Sequence, residues 1–128
     1  AREMTKSVLG TIGQEIYVSD EKYMDMATAL SASGPAYVFL FIEALIDAGV
    51  YVGMPRDMAR TLVLQTVFGS TKLVMDTGMH PAELKDMVVS PGGTTAEALQ
   101  VLEGEGVPAA IVSAVDAAYK KSVQLGQG

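Results

Sequence analysis

The sequence predicts an all-α fold over residues 20–128, behind a short helix–strand segment over residues 1–19. Three observations carry this. Apolar residues make up 49% of the chain but aromatic residues only 6%, with eight Met and thirteen Gly. That mixture suits aliphatic helices in close contact rather than a sheet. From Asp20 onward, Pro and Gly fall at intervals that start and stop helices. The stretch after Pro35 is apolar on nearly every side and must be covered from several directions. In a chain of 128 residues that cover implies a second subunit.

The elements follow in order. In residues 1–19, Met4, Val8 and Leu9 suggest a short helix stopped by Gly10 and Gly13, and Glu15-Ile16-Tyr17-Val18 has strand character. A lone strand cannot satisfy its own backbone groups. This segment is therefore expected to end an N-terminal α/β domain, with residues 20–128 forming the helical domain. Asp20 caps a helix to about Leu30, which Ser31-Ala32-Ser33-Gly34-Pro35 interrupts. Pro35 then opens a helix to about Val52, whose only charges are Glu43 and Asp47, four residues apart on one face. Gly53 ends it. Pro55 opens the next helix, to about Asp76, and Thr77-Gly78 closes it. Pro81 starts a short helix to about Val89. Another runs from Thr94 to about Glu103, and Gly104-Glu105-Gly106 links it to a last helix from Pro108 to about Leu125. The stripe Ile111, Val115, Ala118, Ser122, Leu125 on that helix steps by four and three, which is helical spacing.

Composition excludes several functions. A chain of this length can bury roughly two-thirds of its unfolded surface, so a core needs no metal or disulfide. There is no Cys, hence no thiolate nucleophile or zinc thiolate, and His80 is the only histidine. No metal site is expected. The net charge of -6, with nine scattered Lys and Arg, argues against nucleic acid and against anionic membranes. Glu43 and Asp47 make a membrane span of Ala36–Met54 costly. The absence of cysteine and of a signal-peptide pattern suits a cytoplasmic protein.

The strongest local feature is Ser90-Pro91-Gly92-Gly93-Thr94-Thr95. Two glycines let the backbone aim several N–H groups at one point, and the following helix adds its free N–H groups and positive dipole end. Three hydroxyls lie alongside. The pattern suits a carboxylate or phosphate. A purely structural reading stands beside it: Thr94-Thr95-Ala96-Glu97 fits a capping box, Thr94 and Glu97 serving the helix start reciprocally. Likewise, Thr28-Ala29-Leu30-Ser31-Ala32-Ser33-Gly34-Pro35 crowds small hydroxylated residues at a helix junction, and Ser33 there reads as an N-cap. His80 reads as part of a helix start, Glu43 and Asp47 as solvated or inter-subunit carboxylates, and Lys120-Lys121 as a favourable pairing with a helix C-terminus. Met24, Met26, Met58 and Met75 read as core filler. The chain has no Gly-x-Gly-x-x-Gly turn for a dinucleotide.

Taken together, Ala29-Leu30-Ser31-Ala32-Ser33-Gly34-Pro35-Ala36-Tyr37, His80-Pro81 with Leu84-Lys85-Asp86, and Ser90-Pro91-Gly92-Gly93-Thr94-Thr95 with Leu102-Glu103 resemble pyrroline-5-carboxylate reductase over about Met24 to Leu125. The resemblance implies an interlaced helical dimerisation domain, preceded by the last helix and strand of a Rossmann domain. It implies an enzyme about twice this length that reduces 1-pyrroline-5-carboxylate to L-proline, the last step of proline biosynthesis. NADPH or NADH would be bound mainly by the N-terminal domain, so this chain alone is expected to be inactive. The family forms homodimers, often as rings of dimers. By resemblance, the substrate carboxylate sits against Ser90, Gly92, Gly93, Thr94 and Thr95, and Thr28 approaches the ring nitrogen to orient the imine or relay a proton. Three positions depart from the family pattern. Ala32 stands where Gly is usual. Met87 stands where Asn or Gln often reaches the cofactor ribose, a role that Met cannot fill. Val89 stands where a smaller or hydroxylated residue is common.

Two other readings fit parts of the sequence. One is a non-catalytic helical oligomerisation or carboxylate-binding module, which a start codon adjoining Ala1 would favour over an upstream strand and Gly-x-Gly-x-x-Gly turn. The other is a different two-domain dehydrogenase, of the 6-phosphogluconate or hydroxyacid type. That class places a lysine near the reacting carbon, and neither Lys72 nor Lys85 has a matching context.

Overall fold

The computed structural model describes residues 23–89 and 93–127. The expected helix–strand segment over residues 1–19 lies outside them. Among the described residues there are helices and turns and no strand. The order is α1 (Met24–Ala27), a π-helical turn (Thr28–Ala32), α2 (Gly34–Tyr51), α3 (Arg56–Thr77), α4 (Pro81–Val89), α5 (Gly93–Gly104) and α6 (Val107–Gln127). The all-α class expected from the sequence is what the structure holds.

Pro and Gly set most boundaries. Pro55, at φ -58° and ψ 141°, precedes α3 in extended geometry, so that helix starts one residue later than expected. Gly78 closes α3 in the left-handed region at φ 67°, its N–H donating to the Val74 carbonyl at 3.0 Å. At the start of α4, His80 Nδ1 accepts from the Ala82 N–H at 3.0 Å, while the His80 carbonyl accepts from the Glu83 and Leu84 N–H groups at 2.9 and 3.2 Å. The lone histidine is thus a helix cap, the structural role read for it.

One boundary differs in kind. The first helix does not stop at Ser31. It widens into a π turn, closed by the Ser33 N–H donating to the Thr28 carbonyl at 2.9 Å, and breaks only at Ser33. Ser33 does not cap α2 as expected: its backbone is right-handed helical, and its carbonyl, not its hydroxyl, takes the Ala36 N–H at 3.0 Å.

The chain divides into two compact units. One comprises the residues up to Val38 together with Gly106 onward, and the other Phe39–Glu105. In the first, α6 packs on α1 and on the π turn. Ala29 is fully buried there, and the Ser122 hydroxyl donates to the Asp25 carboxylate at 2.6 Å. Ser122 lies on the stripe predicted for α6, and Val115 and Ala118 beside it are half-buried. Lys120 is exposed and paired with Asp116 at 2.9 Å; that carboxylate's hydrogen bond and charge raise the lysine's pKa. The partner of Lys120 is therefore a side chain one turn back rather than the helix end.

In the second unit, α2 and α3 approach closely at Gly49 and Ala59. A Cβ added at Gly49 would lie 2.9 Å from the Ala59 Cβ, and Ala59 is 1% exposed. Arg56 reaches back to Asp47 at 3.0 Å, and α4 packs on α5.

The buried interior is small. Among the described residues only Ala29 and Ala59 are buried apolar side chains. Tyr51 is 90% exposed, and Phe39, Phe68 and Met75 about two-thirds. The reading of the methionines as core filler does not hold within one chain, since Met26, Met58 and Met75 lie on the surface. An apolar surface of this extent marks a contact face. Met24–Tyr51 is also long and apolar enough, by composition alone, to cross a membrane.

Candidate functional site

Thr28 opens the π turn. Its hydroxyl donates to the Met24 carbonyl one helical turn back at 3.0 Å, in a half-buried position. With the proton so placed, the Oγ1 lone pairs remain to accept from an N–H group. The neighbouring Ala29 carbonyl accepts from the Tyr37 hydroxyl at 2.8 Å. Wide turns of this kind inside helices occur often at functional sites. Sequence reading placed Thr28 at a helix junction but missed the π turn and the part Tyr37 plays in it. The only available signal was a tyrosine one residue beyond the Ser-Gly-Pro-Ala run.

Ser90 and Gly92 of the predicted anion turn, with Pro91, lie outside the described residues. Gly93 is the first residue of α5, Thr94 is exposed and Thr95 half-buried, all within the first turn. Helix α5 therefore starts one residue earlier than expected, and Thr94 sits inside it. In that position Thr94 is not the N-cap that a capping box with Glu97 requires. The first N–H groups of α5 point away from its body, with the positive end of the helix dipole behind them. That is a backbone geometry able to hold a carboxylate. Thr28 belongs to the first unit and Gly93, Thr94 and Thr95 to the second.

The paired carboxylates fall elsewhere in the second unit. Glu43 and Asp47 line a groove of about 410 Å³ together with Phe39, Ile46, Arg60 and Leu64. Asp47 is held by Arg56 and both are well exposed. An exposed ion pair of this kind fits the solvated or inter-subunit reading of the two carboxylates. Among the described residues, no three His, Asp or Glu side chains come together as a metal site would require.

Residues 21–125 match the family model described as pyrroline-5-carboxylate reductase dimerisation. The chain belongs to that family. It is similar to the pyrroline-5-carboxylate reductase of Synechocystis sp., with 49% identity over 95% of this chain and 45% of the relative. It is also similar to that of Escherichia coli, with 50% identity over 87% of this chain and 41% of the relative. Among solved structures, the Plasmodium falciparum pyrroline carboxylate reductase with NADP bound superposes with a TM-score of 0.81 and 50% identity, covering 84% of this chain and 42% of that one. The Coxiella burnetii pyrroline-5-carboxylate reductase superposes with a TM-score of 0.84 and 36% identity, over 96% of this chain and 46% of that one. The chain thus spans somewhat under half the length of these relatives.

Proposed function

We propose that this chain is the dimer-forming and carboxylate-binding part of a pyrroline-5-carboxylate reductase, the enzyme that reduces 1-pyrroline-5-carboxylate to L-proline in proline biosynthesis. The observation that carries the reading is the family match over residues 21–125. The substrate carboxylate lies against Ser90, Gly92, Gly93, Thr94 and Thr95, where the start of α5 at Gly93 presents N–H groups. Thr28 accepts a hydrogen bond from the protonated ring nitrogen and so fixes the face of the imine that is reduced. A protonated imine is the better electrophile, and positioning it is what this part of the enzyme contributes.

The cofactor is NADPH or NADH. It is held mainly by an N-terminal domain of the full-length protein; a similar solved structure has NADP bound. When bound, it supplies the hydride that adds to the imine carbon. The full-length protein is a homodimer in the cytoplasm, with a ring of dimers as the larger assembly.

The exposed face of α2 and α3 supports a second copy of the chain as its cover. The hydroxyls of Thr61, Thr66, Thr71 and Thr77 on α3 each donate to the carbonyl four residues earlier, at 2.7–3.1 Å. Covering that helix therefore strands none of these four threonine protons, which favours stable burial. The test of the reading is proline-forming activity. Full-length protein should oxidise NAD(P)H in the presence of 1-pyrroline-5-carboxylate, and the chain alone should not. Turnover by the chain alone, or none by the full-length protein, would contradict it.

A further inference from the structure

We infer that Tyr37 is a positioning residue for the reduction, acting through Thr28; this rests on the role proposed above for Thr28. The reasoning starts at the backbone. In an α-helix each carbonyl accepts from the N–H four residues on. In the turn Thr28–Ala32 the Ser33 N–H passes over the Ala29 carbonyl and bonds to that of Thr28 at 2.9 Å. The Ala29 carbonyl takes its hydrogen bond from the Tyr37 hydroxyl at 2.8 Å. Ala29 is fully buried and Tyr37 half-buried, so water cannot readily replace that donor. A buried carbonyl without a partner is unfavourable enough to drive a local change of register.

The register matters because Thr28 is the first residue of the wide turn. Its N–H reaches back to the Met24 and Asp25 carbonyls, and its hydroxyl donates to Met24 at 3.0 Å. Its carbonyl holds the Ser33 N–H. If the turn tightened to ordinary α-helical bonding, Ser33 would shift to the Ala29 carbonyl, and the helix beyond Thr28 would rotate. The Tyr37 hydroxyl satisfies the Ala29 carbonyl and so removes the drive for this shift. It therefore holds open the geometry in which Thr28 presents its lone pairs, from eight residues away in sequence and without touching substrate.

Steady-state kinetics on the full-length protein provide the test, with four forms: wild type, Tyr37→Phe, Thr28→Ala and the double variant. Tyr37→Phe removes one oxygen and keeps the ring, so the fold is expected to persist. It should lower kcat by about five- to tenfold, the effect of one lost hydrogen bond, and leave the KM for the nicotinamide cofactor unchanged. The double variant should be no slower than Thr28→Ala, because Tyr37 has no route to the reaction except through Thr28. Amide hydrogen exchange across residues 29–33 should also change in Tyr37→Phe, a readout independent of turnover. Full activity of Tyr37→Phe beside a slow Thr28→Ala would overturn the role of Tyr37 alone. So would losses that multiply in the double variant. Full activity of Thr28→Ala would overturn the reading of Thr28 and this inference with it.

Discussion

At Thr28 the hydroxyl proton is already committed to the Met24 carbonyl, so the oxygen meets a ligand as an acceptor. Thr28→Ser keeps that arrangement and Thr28→Ala abolishes it. In full-length protein Thr28→Ala should lower kcat/KM for 1-pyrroline-5-carboxylate by about tenfold or more, while Thr28→Ser should stay within a few-fold of wild type. Equal values for the three would remove Thr28 from the reaction. His80 makes a second prediction at this scale. Its Nδ1 accepts the Ala82 N–H, and His80→Ala should cost about 1 kcal/mol or less in urea unfolding, with no effect on catalysis. The helix junction around Thr28 was legible in the sequence because small hydroxylated residues collect there. The π turn that frames it was not, since i to i+5 bonding has no signature in composition. It depends on which distant donor, here Tyr37, finds the freed carbonyl.

Among the elements, the helix ends were the most readable. Pro55, Gly78 and Pro81 act locally, by fixing φ or admitting the left-handed region, and the structure places helix ends beside each of them. The start of α5 was misjudged by one residue because Thr94 is a good cap wherever a helix could begin; Gly93 takes the first position instead. The contact between α2 and α3 was also hidden. Nothing in the spacing alone says that Gly49 and Ala59 meet. Gly49→Ala puts two Cβ atoms 2.9 Å apart, closer than packing allows, and should destabilise the fold by about 1–3 kcal/mol. Combining it with Ala59→Gly should recover part of that loss, because the same two atoms are involved. A strictly additive double variant would show that the two helices do not cross at this point.

For the whole molecule, a nearly all-round apolar helix was the clue to association, and the structure sharpens it. With only Ala29 and Ala59 as buried apolar residues among those described, the described part of one chain has too little interior to stand alone. Methionines that looked like core filler lie on that open surface, where a flexible thioether can fit a partner. Light scattering on the purified chain should give the mass of a dimer, and a monomer would contradict this. The carboxylate site is the claim on which the functional reading turns. Proline titrated into the full-length protein should shift the amide signals of Gly93 and Thr94, and prolinamide, which keeps the ring but lacks the carboxylate, should not. Equal shifts from both ligands, or shifts that avoid Gly93 and Thr94 when proline binds, would show that the start of α5 does not hold the carboxylate.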